Sequence, residues 1–143
     1  MSFEDWDRIS PYFEMHEVIS PDGLDLYKRT NQIVTDRLSL LMLNGFRSFI
    51  AKPLIVNTDS NLHRGYRSPR ENAAINGAAD LSFHMQGKAF DISCKGLTCL
   101  ELYHKAIAFG WKGIGLYDTW VHVDMRWTPD NKPVTWDKRA TNE

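Results

Sequence analysis

The sequence SFHMQGKAFD, from Ser82 to Asp91, contains the strongest structural signal in this chain. Polar and apolar residues alternate from Lys88 to Ser93, which is typical of a half-buried β-strand. Gly87 comes just before this alternation and predicts a turn. The sequence therefore predicts a strand that contains Asp91, with His84 on the other side of a glycine turn.

The residues after this strand predict a helix and a β-hairpin. A capping box begins at Thr98, and Gly110 is placed to end the helix that follows it. Segments 111–117 and 120–126 have the pattern of two strands joined by a tight turn around Asp118 and Thr119. We therefore predict an α+β fold in which helices pack against a small, largely antiparallel sheet.

The residues before Ser82 predict two helices and a buried strand. Apolar residues recur at helical spacing over residues 24–44, and Asn44-Gly45 predicts that this helix ends there. The apolar run Pro53–Val56 is typical of a buried strand. Pro69 suits the first turn of a short helix, which Gly77 is expected to end.

Composition limits the classes of function. The 143 residues include 17 Lys and Arg against 18 Asp and Glu, and 43% of them are hydrophobic. A chain of this length can fold as one domain, residues 1–143, without a disulfide or a structural metal, so we expect any metal to serve chemistry. It lacks the excess positive charge that binds nucleic acid or anionic membranes, so we expect neither partner. We also expect a monomeric protein.

Two features bear on the cellular compartment. No apolar run approaches the roughly 18 residues of a membrane-spanning helix. The start MSFEDWDRIS is acidic and polar, whereas a secretory signal is basic and then apolar. We therefore expect a protein that is made and left in a cytoplasm, where Cys94 and Cys99 would be reduced.

Two histidines and two aspartates from distant segments form the most informative polar set. His122 lies in a predicted strand whose alternation places Asp124 on the same face. His84 and Asp91 add a second imidazole and a carboxylate. Two imidazoles and one carboxylate are typical of a catalytic zinc site, where three protein ligands leave a position for water whose pKa falls to about 7.

These residues resemble the signature of a known family, the zinc-dependent D-Ala-D-Ala carboxypeptidases and L-Ala-D-Glu endopeptidases that cut bacterial cell-wall peptides. The signature positions are Ser82, His84, Gly87, Ala89, Asp91 and, in a later strand, His122. The resemblance extends to the segment Gly65–Pro69 and covers nearly the whole chain. It implies the fold shared with the hedgehog signalling domain, zinc as cofactor and the peptidoglycan stem peptide as partner.

The resemblance also assigns roles to individual residues. It places the metal ligands of the family on His84, Asp91 and His122. It places the substrate-contacting arginine of the family on Arg67. Tyr66 and Ser82 are further candidates for substrate binding, and Ser82 is expected to cap a turn or form a hydrogen bond near the site. Arg67 would bind a carboxylate or a carbonyl, because its planar guanidinium offers two parallel donors.

The general base is open between Asp124 and Asp118. Many family members have an acidic residue three positions before the second histidine, where this chain has Thr119. The subgroup with a His-Val-Asp-x-Arg strand is the most similar and favours Asp124, which could instead hold the second nitrogen of a ligand or pair with Arg126. A longer link, residues 57–64, is expected to border the substrate groove.

The function implied by the resemblance is hydrolysis of an amide bond in peptidoglycan stem peptides. We expect an L-Ala-D-Glu endopeptidase rather than a D-Ala-D-Ala carboxypeptidase, because a lytic role requires a groove that is open at both ends. In its small size and its lack of an export signal, the chain resembles a bacteriophage endolysin. One alternative is a non-catalytic, zinc-containing binding or virion module of the same fold, and another is a peptidase that acts on a free dipeptide.

Overall fold

The computed structural model describes residues 1–56, 65–75 and 82–140. Its helices are α1 (Phe3–Ile9), α2 (Met15–Val18), α3 (Pro21–Thr30), α4 (Arg37–Ile50), α5 (Pro69–Ala73) and α6 (Cys99–Phe109), with a short 3-10 helix at Phe83–Gln86. Its strands are β1 (Leu54–Val56), β2 (Ala89–Cys94), β3 (Gly113–Leu116), β4 (Val121–Asp124) and β5 (Val134–Asp137). The predicted α+β class is confirmed.

The five strands form one sheet in the order β1-β2-β4-β3-β5. All neighbours are antiparallel except β3 and β5, so the predicted small, largely antiparallel sheet is also confirmed. The register of β2 and β4 places Asp91 opposite His122. On the other side of β4, Gly115 lies opposite His122 and Gly113 lies opposite Asp124.

The core lies between the opposite face of the sheet and the helices. Val121 and Val123 are completely buried there, as the alternation in β4 predicts. Helix α6 packs against β2, β3 and β4, and α4 packs against α6. The rings of Phe46, Phe109 and Trp111 meet at this junction with centroids 5.1–6.3 Å apart. The sheet therefore buries its apolar face, and the face that contains His122 lies outside this core.

The prediction of a single helix over residues 24–44 is wrong, because the structure has α3 and α4 there. Helix α3 ends at Thr30, and its C-cap residue Asn31 adopts the left-handed conformation with φ 60°. The N-cap residue of α4 is Asp36, whose carboxylate accepts a hydrogen bond from the backbone N–H of Ser39 at 3.0 Å. These two caps interrupt a helix that the apolar spacing alone would continue.

The predicted stop at Asn44-Gly45 is wrong for a related reason. Both residues lie inside α4, which continues to Ile50. Asn44 donates to the backbone oxygen of Leu40 at 2.9 Å and to the hydroxyl of Ser10 at 3.2 Å, so it ties α4 to the N-terminal segment. The missing side chain of Gly45 leaves room for Phe109, whose Cζ would lie 3.3 Å from a Cβ at that position.

The remaining predicted elements are found. Strands β1 to β4, the Thr98 capping box and the left-handed Gly110 at the end of α6 are present as predicted. Two expectations of burial are wrong, because β1 lies at the edge of the sheet with Ile55 exposed, and β2 is buried at five of its six residues rather than half-buried. Ser68 caps α5, which begins at Pro69. The expected stop at Gly77 and the link 57–64 lie outside the described residues. No helix in the described parts of the chain has the length and apolar character to cross a membrane.

Candidate metal centre

Three donor atoms from different elements converge on the open face of the sheet. His84 comes from the 3-10 helix, Asp91 from β2 and His122 from β4. Nε2 of His84 lies 3.2 Å from Nδ1 of His122, and both nitrogens lie 3.3 Å from Oδ1 of Asp91. His84 and Asp91 are buried and His122 is half-buried. The structure thus brings together the three residues that the sequence suggested as ligands.

Local structure around the 3-10 helix fixes His84. The hydroxyl of Ser82 accepts from the backbone N–H of His84 at 3.2 Å and caps the turn. Gly87 ends it in the left-handed conformation, and a side chain at this glycine would overlap the backbone oxygen of Val34. Nδ1 of His84 lies 2.8 Å from the carbonyl oxygen of Gly65. Because a carbonyl can only accept, Nδ1 bears the proton and the lone pair of Nε2 faces the cluster.

A carboxylate holds the outer nitrogen of His122. Nε2 of His122 lies 2.6 Å from Oδ2 of Asp124, and it is the donor in this pair. Burial opposes a positive charge on His122, but hydrogen bonds with Asp124 and Asp91 raise its pKa to about 9. Loss of the Nδ1 proton leaves a lone pair that faces His84 and Asp91.

The carboxylate of Asp124 also accepts hydrogen bonds from Arg126. Asp124 is completely buried, and its carboxylate accepts from Arg126 at 3.0 Å (backbone N–H), 2.9 Å (Nε) and 2.7 Å (Nη2). Although burial acts to raise its pKa, the hydrogen bonds from Arg126 and His122 hold the pKa of Asp124 well below its usual range. Of the two roles that the sequence left open for Asp124, this geometry favours orienting His122 over accepting a proton from water.

Asp118, the other candidate base, has different surroundings. It is exposed in the turn between β3 and β4, and its carboxylate accepts from the backbone N–H of Ala140 at 3.1 Å. The cluster of donor atoms formed by His84, Asp91 and His122 does not include it. The structure therefore places Asp118 apart from the three candidate ligands.

The donor set fits a divalent metal ion that takes nitrogen and oxygen ligands. The donor atoms of His84, Asp91 and His122 all lie within 4.8 Å of one another. Burial acts to raise the pKa of Asp91, but the two histidines hold it well below its usual range, so the carboxylate is anionic. Each imidazole has its outer nitrogen held by an acceptor, which is the arrangement that fixes metal-binding histidines in proteins.

Arg67 lies beside this cluster and is 6% exposed. Its backbone N–H donates to the carbonyl of His84 at 3.1 Å, and its Nη2 donates to the hydroxyl of Ser82 at 3.4 Å. Within the described residues, its buried Nε has no hydrogen-bond partner. Burial lowers the pKa of Arg67, while the nearby charge of Asp91 opposes that shift. A buried guanidinium with a free N–H is suited to a carboxylate or carbonyl of a ligand.

Tyr66, predicted to contact the substrate, has its ring in the hydrophobic core instead. It packs against Gly23 of α3, where a side chain would approach the tyrosine Cδ1 to 2.7 Å. The backbone N–H of Tyr66 donates to the carbonyl of Val18 at 3.2 Å. In this position, Tyr66 anchors the turn that holds Arg67.

Glu71 holds the same turn from the other side. Its buried carboxylate accepts from the hydroxyl of Ser20 at 2.5 Å and from the backbone N–H of Ser68 at 2.9 Å. The bond from Ser20 joins the Arg67 turn to the start of α3, and the bond from Ser68 closes the capping box of α5. Glu71 was not among the predicted site residues, although its position three residues after Ser68 is a capping-box signal.

The ring of Trp136 lies next to His122 and was also not among the predicted site residues. Trp136 of β5 has its ring centroid 5.3 Å from that of His122, and its Nε1 donates to the hydroxyl of Tyr117 at 3.1 Å. The available signal was the pair Gly113 and Gly115 in β3. A side chain at Gly115 would overlap the Trp136 ring, so the glycines mark a place where other groups lie against the strand.

Comparison with known proteins gives the family. Residues 20–124 match peptidase family M15, a range that includes the cluster and the Arg67 turn. The chain is also 28% identical over 130 residues to the probable peptidoglycan L,D-endopeptidase MepK of Haemophilus influenzae, across 82% of this chain and 69% of that protein. The resemblance seen in the sequence is confirmed, as is the hedgehog-like fold that it implied. The chain belongs to peptidase family M15.

Proposed function

We propose that this protein is a zinc-dependent peptidase that hydrolyses an amide bond in peptidoglycan stem peptides. The observation that carries the proposal is the convergence of His84, Asp91 and His122, with both imidazoles fixed from outside by acceptors. Membership of peptidase family M15 and the similarity to a probable peptidoglycan endopeptidase support it.

The residues of the site have separate proposed roles. His84, Asp91 and His122 would hold zinc, which when bound polarises a carbonyl and lowers the pKa of a water molecule to about 7. Arg67 would bind a substrate carboxylate or carbonyl through its guanidinium. The hydroxyl of Ser82 contacts Arg67 and caps the 3-10 helix, so it helps to place both the arginine and His84.

The bond we propose is the one between L-alanine and D-glutamate. The related protein is named an L,D-endopeptidase, and this bond joins an L residue to a D residue, whereas a D-Ala-D-Ala carboxypeptidase cuts between two D residues. D-glutamate also has a free carboxylate that Arg67 could bind. Cleavage here would release the cross-linked peptide from the glycan strand and weaken the wall, as a bacteriophage endolysin does.

Digestion of purified cell-wall sacculi tests the proposal. We expect turbidity to fall, and mass spectrometry to find new peptides that begin with D-glutamate. The inactive control is His84→Ala. Release of free D-alanine without a fall in turbidity would favour carboxypeptidase action. No new terminus of either kind, from a protein that binds zinc, would favour the non-catalytic alternative.

A further inference from the structure

Arg126 is connected to the metal centre through Asp124. The arginine donates three hydrogen bonds to this buried carboxylate, which in turn accepts from Nε2 of His122. The three residues alternate along one strand and its continuation, so their side chains lie on the same face of the sheet. Arg126 is the arginine of the His-Val-Asp-x-Arg segment, two residues after the end of the range that matches the family.

Two aromatic rings flank the guanidinium of Arg126. Its Cζ lies 4.8 Å from the ring centroid of Phe83 and 5.1 Å from that of Trp136. Phe83 is next to His84 in the 3-10 helix, and Trp136 belongs to β5. Cation–π attraction to these two rings favours one orientation of the planar group.

The neighbouring strand leaves space for this arrangement. A side chain at Gly113 would overlap the carboxylate of Asp124 and the Nε of Arg126, and one at Gly115 would overlap the indole of Trp136. Both glycines have ordinary strand positions in β3, so their small size serves packing rather than backbone freedom.

We propose that Arg126, in cation–π contact with Phe83 and Trp136, is a positioning residue that fixes Asp124 and, through it, the ring of His122. The inference rests on the proposed function, because there His122 acts as a zinc ligand. A buried carboxylate keeps its position only while its charge is compensated by donors, and Arg126 supplies three of the four, two of them from its side chain. Its planar fork meets both oxygens at once, which an ammonium group cannot do.

The chain contains a matched control for this arrangement. Asp137 and Arg139 have the same two-residue spacing, and Asp137 accepts from Arg139 at 3.0 Å (backbone N–H), 3.0 Å (Nε) and 2.7 Å (Nη2). The Asp137 carboxylate is exposed to solvent and contacts no histidine among the described residues. A change at Arg139 therefore removes the same kind of pair without affecting the metal centre.

The experiment compares Arg126→Lys with Arg139→Lys by titrating zinc against a competing chromophoric chelator. We expect Arg126→Lys to weaken zinc affinity by about tenfold, the lower end of what loss of an outer partner of a ligand costs. Arg139→Lys should bind like the wild type. Trp136→Leu, which removes one flanking ring, should lose affinity in the same direction, while the equivalent change at the exposed Trp127 should not.

A second measurement separates positioning from general loss of structure. The Nε2–H of His122 should give a slowly exchanging proton signal in spectra of ¹⁵N-labelled protein, and this signal should broaden or disappear in Arg126→Lys while other core amides are unchanged. Wild-type zinc affinity together with an unchanged Nε2–H signal in Arg126→Lys would overturn this inference alone. A wild type that binds no zinc would overturn the proposed function and the inference together.

Discussion

Asp91 and His122 lie directly opposite each other on β2 and β4, and Oδ1 of the aspartate is 3.3 Å from Nδ1 of the histidine. Opposite residues of an antiparallel pair share a face, so this register is what brings the two donors together. A slip of one residue would turn His122 into the core and bring a valine to the centre. The metal centre therefore depends on the pairing of these two strands.

Loss of a ligand should abolish zinc binding without unfolding the protein. We expect about one zinc per wild-type chain and much less in His84→Ala or His122→Ala. His104→Ala, on the exposed face of α6, is the matched control and should retain zinc. Elemental analysis of the purified proteins measures the stoichiometry, and full zinc content in both ligand variants would refute the assignment.

Removal of the metal gives a related prediction. The core of the described residues is extensive and lies on the opposite side of the sheet from the cluster, so the chelated protein should keep its circular dichroism spectrum. Zinc at about 100 times its dissociation constant should then stabilise it by about 2.7 kcal/mol. Thermal unfolding with and without zinc measures this difference. Unfolding upon chelation would indicate a structural metal site.

The two candidate bases should behave differently when each carboxylate becomes an amide. Asp124→Asn removes the anion that accepts from His122, so we expect zinc affinity to fall by about 10–100-fold together with activity. Asp118→Asn, the matched change on the exposed turn, should leave zinc affinity unaltered. If Asp124→Asn kept full zinc affinity but lost about 10²–10⁴-fold in kcat, the proton-acceptor role would be the correct one.

The elements that surround the metal centre could be predicted because their signals are local. Strand β2 follows from the alternation after Gly87, and α6 follows from the Thr98 capping box and Gly110. His122 and Asp124 were placed on one face by the period of a strand. The ligands themselves were suggested by their resemblance to a family signature rather than by periodicity.

The elements that escaped prediction depend on contacts distant in sequence. Strand β5 alternates apolar and polar residues over only four positions, VTWD, which is a weak signal, and it is mostly exposed. Its parallel pairing with β3 depends on residues distant in sequence. The break at Asn31 was missed because Ile33, which is buried, continues the apolar spacing through the gap. Trp136 could not be placed beside His122 without knowledge of β5.

Substitution of Arg67 by lysine should impair turnover although the charge is kept. Arg67 is buried and has a free Nε, so a lysine would lose both the forked geometry and one donor at the site. We expect kcat/KM on stem peptides to fall by about 10–100-fold, as for loss of a charged hydrogen bond. The control is Arg70→Lys on the same turn, because the exposed Arg70 pairs with Asp22. Equal activity of the two variants would contradict a substrate-binding role for Arg67.

Alanine substitutions at two glycines with positive φ should distinguish the stability cost of backbone strain from that of steric overlap. Gly87 has φ 67° and Gly96 has φ 95°, so alanine at either position should cost about 1–2 kcal/mol of stability for the left-handed conformation. A side chain at Gly96 would meet only Nζ of Lys52 at 4.0 Å, whereas one at Gly87 would overlap the backbone oxygen of Val34. Gly87→Ala should therefore lose about 1–3 kcal/mol more than Gly96→Ala in urea unfolding.

The same two variants also test whether the turn at Gly87 positions the metal centre. Gly87 ends the 3-10 helix that contains His84, so relief of the overlap must shift this helix or the segment at Val34. We expect Gly87→Ala to weaken zinc affinity as well as stability, while Gly96→Ala, in the turn after β2, affects stability alone. Equal losses of stability in the two variants, with zinc affinity unchanged in both, would show that the close approach to Val34 does not position His84.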